Sequence, residues 1–376
     1  MYSNNNDRSL AASARGFVAH FAIILAMGLS AMATPAGAAP FAYVTNEVDG
    51  TVSVIDTATN PPSVVATVPL GISGPDNGSP NGVAVAPNGT RAYVADTLAG
   101  RVSVIDTATN TVVAEVMGTS LPQGVAVAPD GKHAYATDLA DNPTHSGVSV
   151  IDTATNTVVA AVPVAVGAIP QSVVVTPDGA HAYVAVPAQS LVPGNVAVID
   201  TASDVVVATV AVGTAPYGVA ITPDGKQVYV ANQNSNNVSV IATASNTVVA
   251  TVPVGTGPQG VAVTPDGKHA YVTGDVVSVI DTATNTVMAT VPVATGPGIA
   301  VTPDGKHVYA IARVGGVSLI ETATNTVVAT VPVGNGPLAW PSARQASPSS
   351  PSAPTSLSPS AARQIRIPLP CKPASS

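Results

Sequence analysis

From Phe41 to about Val333 the chain alternates between short apolar runs and short polar turns. The runs are rich in Val and Ala and span five to eight residues, which is typical of strands rather than helices. In the stretch Gln259–Val293 four such runs follow one another. The turns between them are Pro265–Gly267, Gly274–Asp275 and Thr282–Asn285. This pattern predicts a four-stranded antiparallel meander, because its connections have hairpin length.

The meander recurs along the chain. The segment Val102–Val113, VSVIDTATNTVV, returns seven times between Val52 and Val328. Its acidic position falls at Asp56, Asp106, Asp152, Asp200, Ala242, Asp281 and Glu321. A tyrosine of the preceding strand recurs with it at Tyr43, Tyr93, Tyr135, Tyr183, Tyr229, Tyr271 and Tyr309. A period near forty residues with four strands per unit is typical of propeller blades, which stack around an axis to cover both faces. The sequence therefore predicts an all-β, seven-bladed β-propeller over residues 40–340.

The first repeat lacks its first strand, because the pattern begins at Phe41. A ring must close, or it leaves sheet edges open. Gly336–Trp340 resembles the start of another first strand. We therefore expect the N- and C-terminal strands to complete blade one together.

The motifs resemble those of a known family. Tyr43–Asn46 spells YVTN, and it recurs in variant form with the PDGK turns and the VSVIDTATN segment. The region from Phe41 to Leu338 resembles the YVTN-family β-propeller repeat. The resemblance implies an exported or surface protein of bacteria or archaea. Related propellers include lactonases and quinoprotein subunits, but the repeat itself carries over no catalytic residue.

Both ends of the chain differ from the repeats. Residues 1–39 contain two arginines, the apolar run Phe17–Met32 and a small-residue cleavage site at Ala36–Ala38. This order indicates a secretory signal peptide and a periplasmic or secreted protein, the alternative being a membrane anchor. No later run is long enough to span a bilayer, so we expect no membrane span after signal removal. Residues 341–376 are rich in Pro, Ser and Ala, which predicts a disordered tail.

Charge and cysteine content restrict the partners. Between Pro40 and Trp340 there are 20 acidic residues against four lysines and three arginines, so this region repels phosphate and nucleic acid is an unlikely partner. Cys371 is the only cysteine, which excludes a disulfide or a cysteine-based metal site within one chain. We expect a monomer without a cofactor.

The early repeats are longer than the late ones. The extra residues are Gly71–Pro80, Leu139–Ser146, Ala165–Ala168 and Pro187–Gly194. All four lie between the second and third strands of a blade or between blades, and in a meander both kinds of connection emerge on the same face, here named the loop face. Long loops on a rigid scaffold often form binding surfaces, the alternative being neutral drift of loop length. The opposite face, with the Pro-Asp-Gly turns, is named the turn face.

The first strand of each blade starts on the loop face beside the central channel. The residues there are Asn81, Gln123, Gln171, Tyr217 and Gln259. Amides donate and accept hydrogen bonds, so this ring suits a polar neutral ligand or ordered water. The alternative is that these side chains only bond to neighbouring blades.

Several ionisable residues depart from the repeat. The acidic ones are Glu47, Asp49, Asp76, Asp96, Asp138, Asp141 and Asp275. Asp96 and Asp138 occupy matching loop starts and are binding candidates, but no regular Ca²⁺-ligand spacing surrounds them, so we expect no metal site. His145 is the only histidine on the loop face, and Arg313 lies in a loop of blade seven. These two are the candidates for acid–base work and for anion stabilisation.

Three hypotheses of function follow. The first is an exported non-catalytic propeller that binds a protein, peptide or envelope component on the loop face of blades one to four. The second is a lactonase- or lyase-like enzyme that uses the channel mouth. It requires His145, Arg313 and Asp96 or Asp138 to converge in one pocket. The third is an accessory subunit of a periplasmic redox system.

Overall fold

The computed structural model describes residues 41–71, 79–138, 146–164, 169–188, 192–293, 295–312 and 316–334. Within these residues the regular structure is entirely β, in seven antiparallel sheets. No helix of the described residues is long and apolar enough to cross a membrane. The predicted signal peptide and the predicted tail lie outside the described residues.

The first four blades occupy the first half of the chain. Blade one contains β1 (Phe41–Asn46), β2 (Thr51–Asp56) and β3 (Ser63–Pro69). Blade two contains β4 (Pro80–Val85), β5 (Arg91–Asp96), β6 (Arg101–Asp106) and β7 (Thr111–Met117). Blade three contains β8 (Val125–Val127), β9 (His133–Asp138), β10 (Gly147–Asp152) and β11 (Thr157–Pro163). Blade four contains β12 (Val173–Val175), β13 (His181–Val186), β14 (Pro193–Asp200) and β15 (Val205–Thr214).

The remaining three blades follow in the same order. Blade five contains β16 (Pro216–Ile221), β17 (Gln227–Asn232), β18 (Asn237–Ala242) and β19 (Thr247–Pro253). Blade six contains β20 (Val261–Val263), β21 (His269–Val272), β22 (Val277–Asp281) and β23 (Thr286–Val291). Blade seven contains β24 (Thr295–Val301), β25 (His307–Ala312), β26 (Gly316–Glu321) and β27 (Thr326–Val331). In every sheet the strands lie side by side in chain order, so the meander prediction is confirmed.

Burial changes across each blade. The second and third strands are buried on both faces, as in β5 and β6, and therefore form almost continuous apolar runs. The fourth strands alternate, and valines such as Val113 and Val207 are about half exposed on the outer rim. Each blade therefore packs on two neighbours through its middle strands and leaves its fourth strand as the rim.

Seven apolar clusters fill the spaces between neighbouring blades. Six of them join successive blades along the chain. The seventh places Val44 and Ile55 of blade one against Ile311 and Leu319 of blade seven. The ring is therefore continuous in its packing, which confirms the seven-bladed propeller. Gly336–Trp340, the segment predicted to complete blade one, lies outside the described residues, so that detail stays a prediction.

The repeated tyrosine joins adjacent blades. The hydroxyls of Tyr183, Tyr229 and Tyr271 donate to asparagine side chains in the next blade's turn at 2.7–2.8 Å. The acceptors are Asn246, Asn285 and Asn325, each at a left-handed φ of 51–54°. Asparagine tolerates this conformation better than most residues. The DTATN turn therefore reverses the chain and also links two blades.

Candidate functional site

A cavity of about 550 Å³ follows the axis of the ring. The first strands of blades two to seven form its wall, largely with Val and Ala from the middle of those strands. Prolines of the Pro-Asp/Asn-Gly turns, from Pro87 to Pro303, line it towards the turn face. Towards the loop face the lining includes Asn81, Gln123, Gln171 and Tyr217. This loop-face end is named the channel mouth.

The amides of the channel mouth bond mainly to their surroundings. Asn81 Nδ2 donates to Gln123 Oε1 at 2.9 Å, which connects blades two and three. Gln123 Nε2 donates to the carbonyl of Leu121, and Gln171 Nε2 donates to the carbonyl of Ile169 at 3.0 Å. Gln259 is nearly buried at the matching position, where Gly260 contributes to the cavity wall instead. The structure thus brings four of the five predicted residues to the mouth, and the three amides among them are hydrogen-bonded within the protein.

The glycines next to these residues hold the first strands close together. Gly82 N donates to the Gln123 carbonyl, and Gly218 N donates to the Gln259 carbonyl, both at 2.8 Å. A Cβ at Gly82 would lie 2.7 Å from that Gln123 oxygen. A larger residue at Gly82 would therefore push blades two and three apart, so these contacts help to set the width of the mouth.

Glu47 lies in the connection between β1 and β2, and it is not among the residues that line the cavity. Its Oε1 accepts a hydrogen bond from Ser79 Oγ at 2.8 Å. Its Oε2 is buried and has no hydrogen-bond partner among the described residues. Burial raises the pKa of Glu47 to about 7, and the bond from Ser79 offsets part of this rise. Glu47 is therefore a carboxyl group that changes its charge near neutral pH.

Tyr217 contributes an aromatic ring to the channel mouth from β16 in blade five. Its side chain lines the cavity and is partly buried. Burial raises the pKa of Tyr217, and the negative charge of Glu47 raises it further. The carboxyl group of blade one and the phenol of blade five thus lie within electrostatic range of each other.

Sequence reasoning named Tyr217 but treated Glu47 only as one of seven unusual acids. A more specific signal was present. Glu47 follows the last position of the second strand, and the equivalent residues are Thr97 and Gln233 in blades two and five. Thr97 Oγ1 donates to the Pro122 carbonyl at 2.6 Å, so this position faces the start of the next blade's first strand. A polar residue at this position therefore lies close to the neighbouring blade.

Asp96 and Asp138 hold loops in place. Asp96 is fully buried, and it accepts hydrogen bonds from Ser79 N and from Arg101 Nε, both at 3.2 Å. Asp138 accepts from Ser120 N and Ser149 Oγ, both at 2.5 Å. Burial raises the pKa of both carboxyls, and the Arg101 charge partly offsets this for Asp96. Hydrogen bonds to their own blade thus engage both aspartates, and neither lines the cavity.

Other predicted residues fall outside the described chain. His145, Arg313 and most of the four inserted segments lie there, so the convergence of His145 and Arg313 with an aspartate stays a prediction. Among the described residues, no group of three or more His, Cys, Asp or Glu side chains is arranged to hold a metal ion.

A family model described as a lactonase, 7-bladed beta-propeller, matches residues 76–249 of the chain. The chain is a seven-bladed β-propeller. Hydrazine synthase of Kuenenia stuttgartiensis is similar in structure, with a TM-score of 0.66 and 24% identity over 75% of this chain and 92% of that one. A functionally unknown protein of Desulfotomaculum acetoxidans DSM 771 has a TM-score of 0.66 and 19% identity over 77% and 94% of the two chains. A search of curated proteins returns no match.

These similarities establish the fold alone, because the identities with the two solved structures are below 25%. The family model covers somewhat less than half of this propeller's chain. The resemblance to the YVTN repeat continues to rest on its sequence motifs.

Proposed function

We propose that the chain is an exported binding module that receives part of its partner at the channel mouth. The cavity of about 550 Å³ carries this proposal. Its size, apolar wall and few polar groups at one end are typical of ligand sites in proteins. The partner is a protein, peptide or envelope component that rests on the loop face and inserts a side chain or an end.

The repeated polar side chains stabilise blades and turns, whereas the cavity wall is mainly apolar. This difference supports a binding role. Tyr229 and its counterparts link blades, and Asp106 and its counterparts accept backbone hydrogen bonds in their own turns. The cavity wall instead offers apolar area with Gln171 and Tyr217 at its rim. Such a surface gains affinity by burying an apolar group of the partner. The proposed location, periplasmic or secreted, rests on the signal-like residues 1–39.

A blocking variant tests the proposal. Gln171→Trp adds a large side chain at the mouth, whereas Val207→Trp adds the same side chain on the half-exposed outer rim. We expect the parent chain and Val207→Trp to recover the same partner from an envelope fraction, and Gln171→Trp to lose it. Equal recovery by both tryptophan variants would refute binding at the mouth.

Lactone hydrolysis is the second candidate, because the family model over residues 76–249 favours it. Glu47, with a pKa of about 7, is suited to act as a general base. Water would attack the lactone carbonyl carbon as Glu47 took its proton. The ring C–O bond would then break, and the released oxygen would take the proton to give a hydroxy acid.

A panel of γ- and δ-lactones tests this candidate, with acid release followed in a pH-stat. Hydrolysis that is lost in Glu47→Gln and kept in Glu321→Gln would support it. Rates no higher than the uncatalysed background in the parent chain would exclude these substrates.

A further inference from the structure

The first strand of blade four departs from the other blades at the channel mouth. Ser172 stands where blades two, three, five and six have glycine, at Gly82, Gly124, Gly218 and Gly260. A Cβ at Gly82 or Gly124 would lie 2.7 or 2.6 Å from a backbone oxygen of the following blade. Because Ser172 carries a Cβ, blade five must stand further from blade four at this point. The departure therefore makes room for a hydroxyl group in the mouth.

Two other hydrogen-bonding side chains of blades four and five line the mouth with Ser172. Gln171 precedes it in the chain, and Tyr217 occupies the Gln171 position of blade five. Gln171 Nε2 donates to a backbone carbonyl, but no described residue donates to its Oε1 or bonds to Ser172 Oγ. In blades two and three, Asn81 and Gln123 instead bond to each other. Gln171, Ser172 and Tyr217 are therefore named the polar corner of the mouth.

The cavity lining carries no formal charge. Its described residues include no Asp, Glu, Lys, Arg or His. Burial raises the pKa of Tyr217, so its phenol stays neutral at physiological pH. A charged group that entered the cavity would lose hydration without gaining an opposite charge, which is unfavourable. The lining therefore disfavours ions and favours an uncharged ligand.

The channel below the mouth suits an apolar chain. Val127, Ile221 and Val263 belong to its wall, and Pro177 and Pro223 line it towards the turn face. The cavity of about 550 Å³ is many times larger than the share of one water molecule, about 30 Å³. Waters in this space meet mostly apolar side chains, so their replacement by an apolar chain is favourable.

We propose that the cavity binds an uncharged amphiphile, with an amide or hydroxyl head hydrogen-bonded in the polar corner and an aliphatic chain along the channel. Amide and hydroxyl groups match Gln171 and Ser172, which both donate and accept hydrogen bonds. The amphiphile is a free molecule or the apolar end of a partner. This inference rests on the proposed function, because it names the chemistry of the group that the mouth receives.

The test uses the full chain, purified from the cells that produce it, and three probes of equal length: hexanamide, hexanoate and hexylammonium. Chemical-shift titration at pH 7 should show hexanamide binding at least tenfold more tightly than either ion, because the described lining offers no countercharge. Heptanamide and octanamide should bind more tightly still, by about fourfold for each added CH₂ that enters the apolar channel.

Ser172→Gly tests the polar corner. It gives blade four the residue that the other blades have, so it should fold. It should weaken hexanamide binding about fivefold, as expected for the loss of one hydrogen bond. Ser245→Gly removes the same hydroxyl from an exposed turn of blade five and should bind hexanamide like the parent.

The inference is overturned if either ion binds as tightly as hexanamide, if the three amides bind equally, or if Ser172→Gly binds hexanamide like the parent. If hexanamide binds as expected while Gln171→Trp still captures the envelope partner, the ligand site stands and the proposed function fails. If Gln171→Trp loses the partner but no amide binds to the parent, the proposed function stands and this inference fails. Release of the captured partner by excess hexanamide assigns the chain to the partner, and retention assigns it to a free amphiphile.

Discussion

Asp106 and Glu47, on opposite faces of the propeller, have opposite electrostatic environments. On the turn face, Asp106 accepts hydrogen bonds from Thr109 and Ala108, and its pKa falls, chiefly through the backbone N–H of Thr109. On the loop face, burial raises the pKa of Glu47 to about 7. The first arrangement stabilises the fold when the acid is ionised, and the second stabilises it when the acid is protonated.

Glu47→Gln should therefore change stability in a pH-dependent way. Between about pH 4.5 and 7 the unfolded chain loses the Glu47 proton while the folded chain keeps it, so the contribution of Glu47 to stability falls as the pH rises. We expect Glu47→Gln to exceed the parent by on the order of 2 kcal/mol in free energy of unfolding at pH 8, and to equal it near pH 4.5. Urea unfolding at both pH values measures this. The same gain in Glu321→Gln would instead indicate a general effect of net charge.

At the scale of elements, the turn of one blade is bonded to the second strand of the blade before it. Tyr229 Oη donates to Asn285 Oδ1 at 2.8 Å, and burial raises the pKa of Tyr229 to about 12. Tyr135 occupies the same position in blade three, where it faces Asp204 and makes no such bond among the described residues. Tyr135 can therefore serve as the control for the hydrogen bond that Tyr229 makes.

Tyr229→Phe should destabilise the propeller by about 1 kcal/mol, the usual net contribution of one hydrogen bond. Tyr135→Phe should cost less, because it removes no bond to an asparagine. Thermal or urea unfolding of both variants measures the difference. A larger loss in Tyr135→Phe would contradict the link between blades.

The ion pair between Asp96 and Arg101 is a second contact that joins neighbouring elements. Arg101 also donates to the Leu70 carbonyl, so the pair fixes both ends of the connection between β3 and β4. Arg101→Met leaves Asp96 as a buried charge without its partner and should cost about 3 kcal/mol or more. Asp96→Asn added to Arg101→Met should recover part of this loss. A double variant less stable than Arg101→Met would argue against the structural role of Asp96.

The periodic features were predictable from the sequence, because strand positions and turns depend on neighbouring residues. The tyrosine position and the number of blades followed from the same repeat. The Tyr229–Asn285 bond joins residues 56 positions apart, and Glu47 and Tyr217 are separated by most of the ring. Their proximity depends on how far blade five lies from blade one around the axis. The burial that shifts the pKa of Glu47 was likewise not encoded in any local pattern.

At the scale of the whole molecule, stability depends on the contact between the first and last blades. Val44 and Ile55 pack against Leu319, and Gly334 N donates to Ser53 Oγ at 3.5 Å. The end of the described chain thus reaches blade one. This position is consistent with the predicted role of Gly336–Trp340 as the missing first strand.

Two truncations separate this segment from the tail. Removal of residues 341–376 should leave the melting temperature unchanged. Removal of residues 335–376 should lower it by roughly 5 °C or more and increase amide exchange in β1, because the inner edge of blade one loses its partner. Equal exchange in β1 for the two truncations would show that Gly336–Trp340 does not complete the blade.

The central claim, binding at the channel mouth, is tested most directly by photo-crosslinking. A photoreactive benzoylphenylalanine replaces either Gln171 at the mouth or Val207 on the outer rim. Each chain is then irradiated in the cells that produce it. We predict that position 171 gives a discrete crosslinked product and position 207 does not. A product from position 207 with none from position 171 would contradict binding at the mouth.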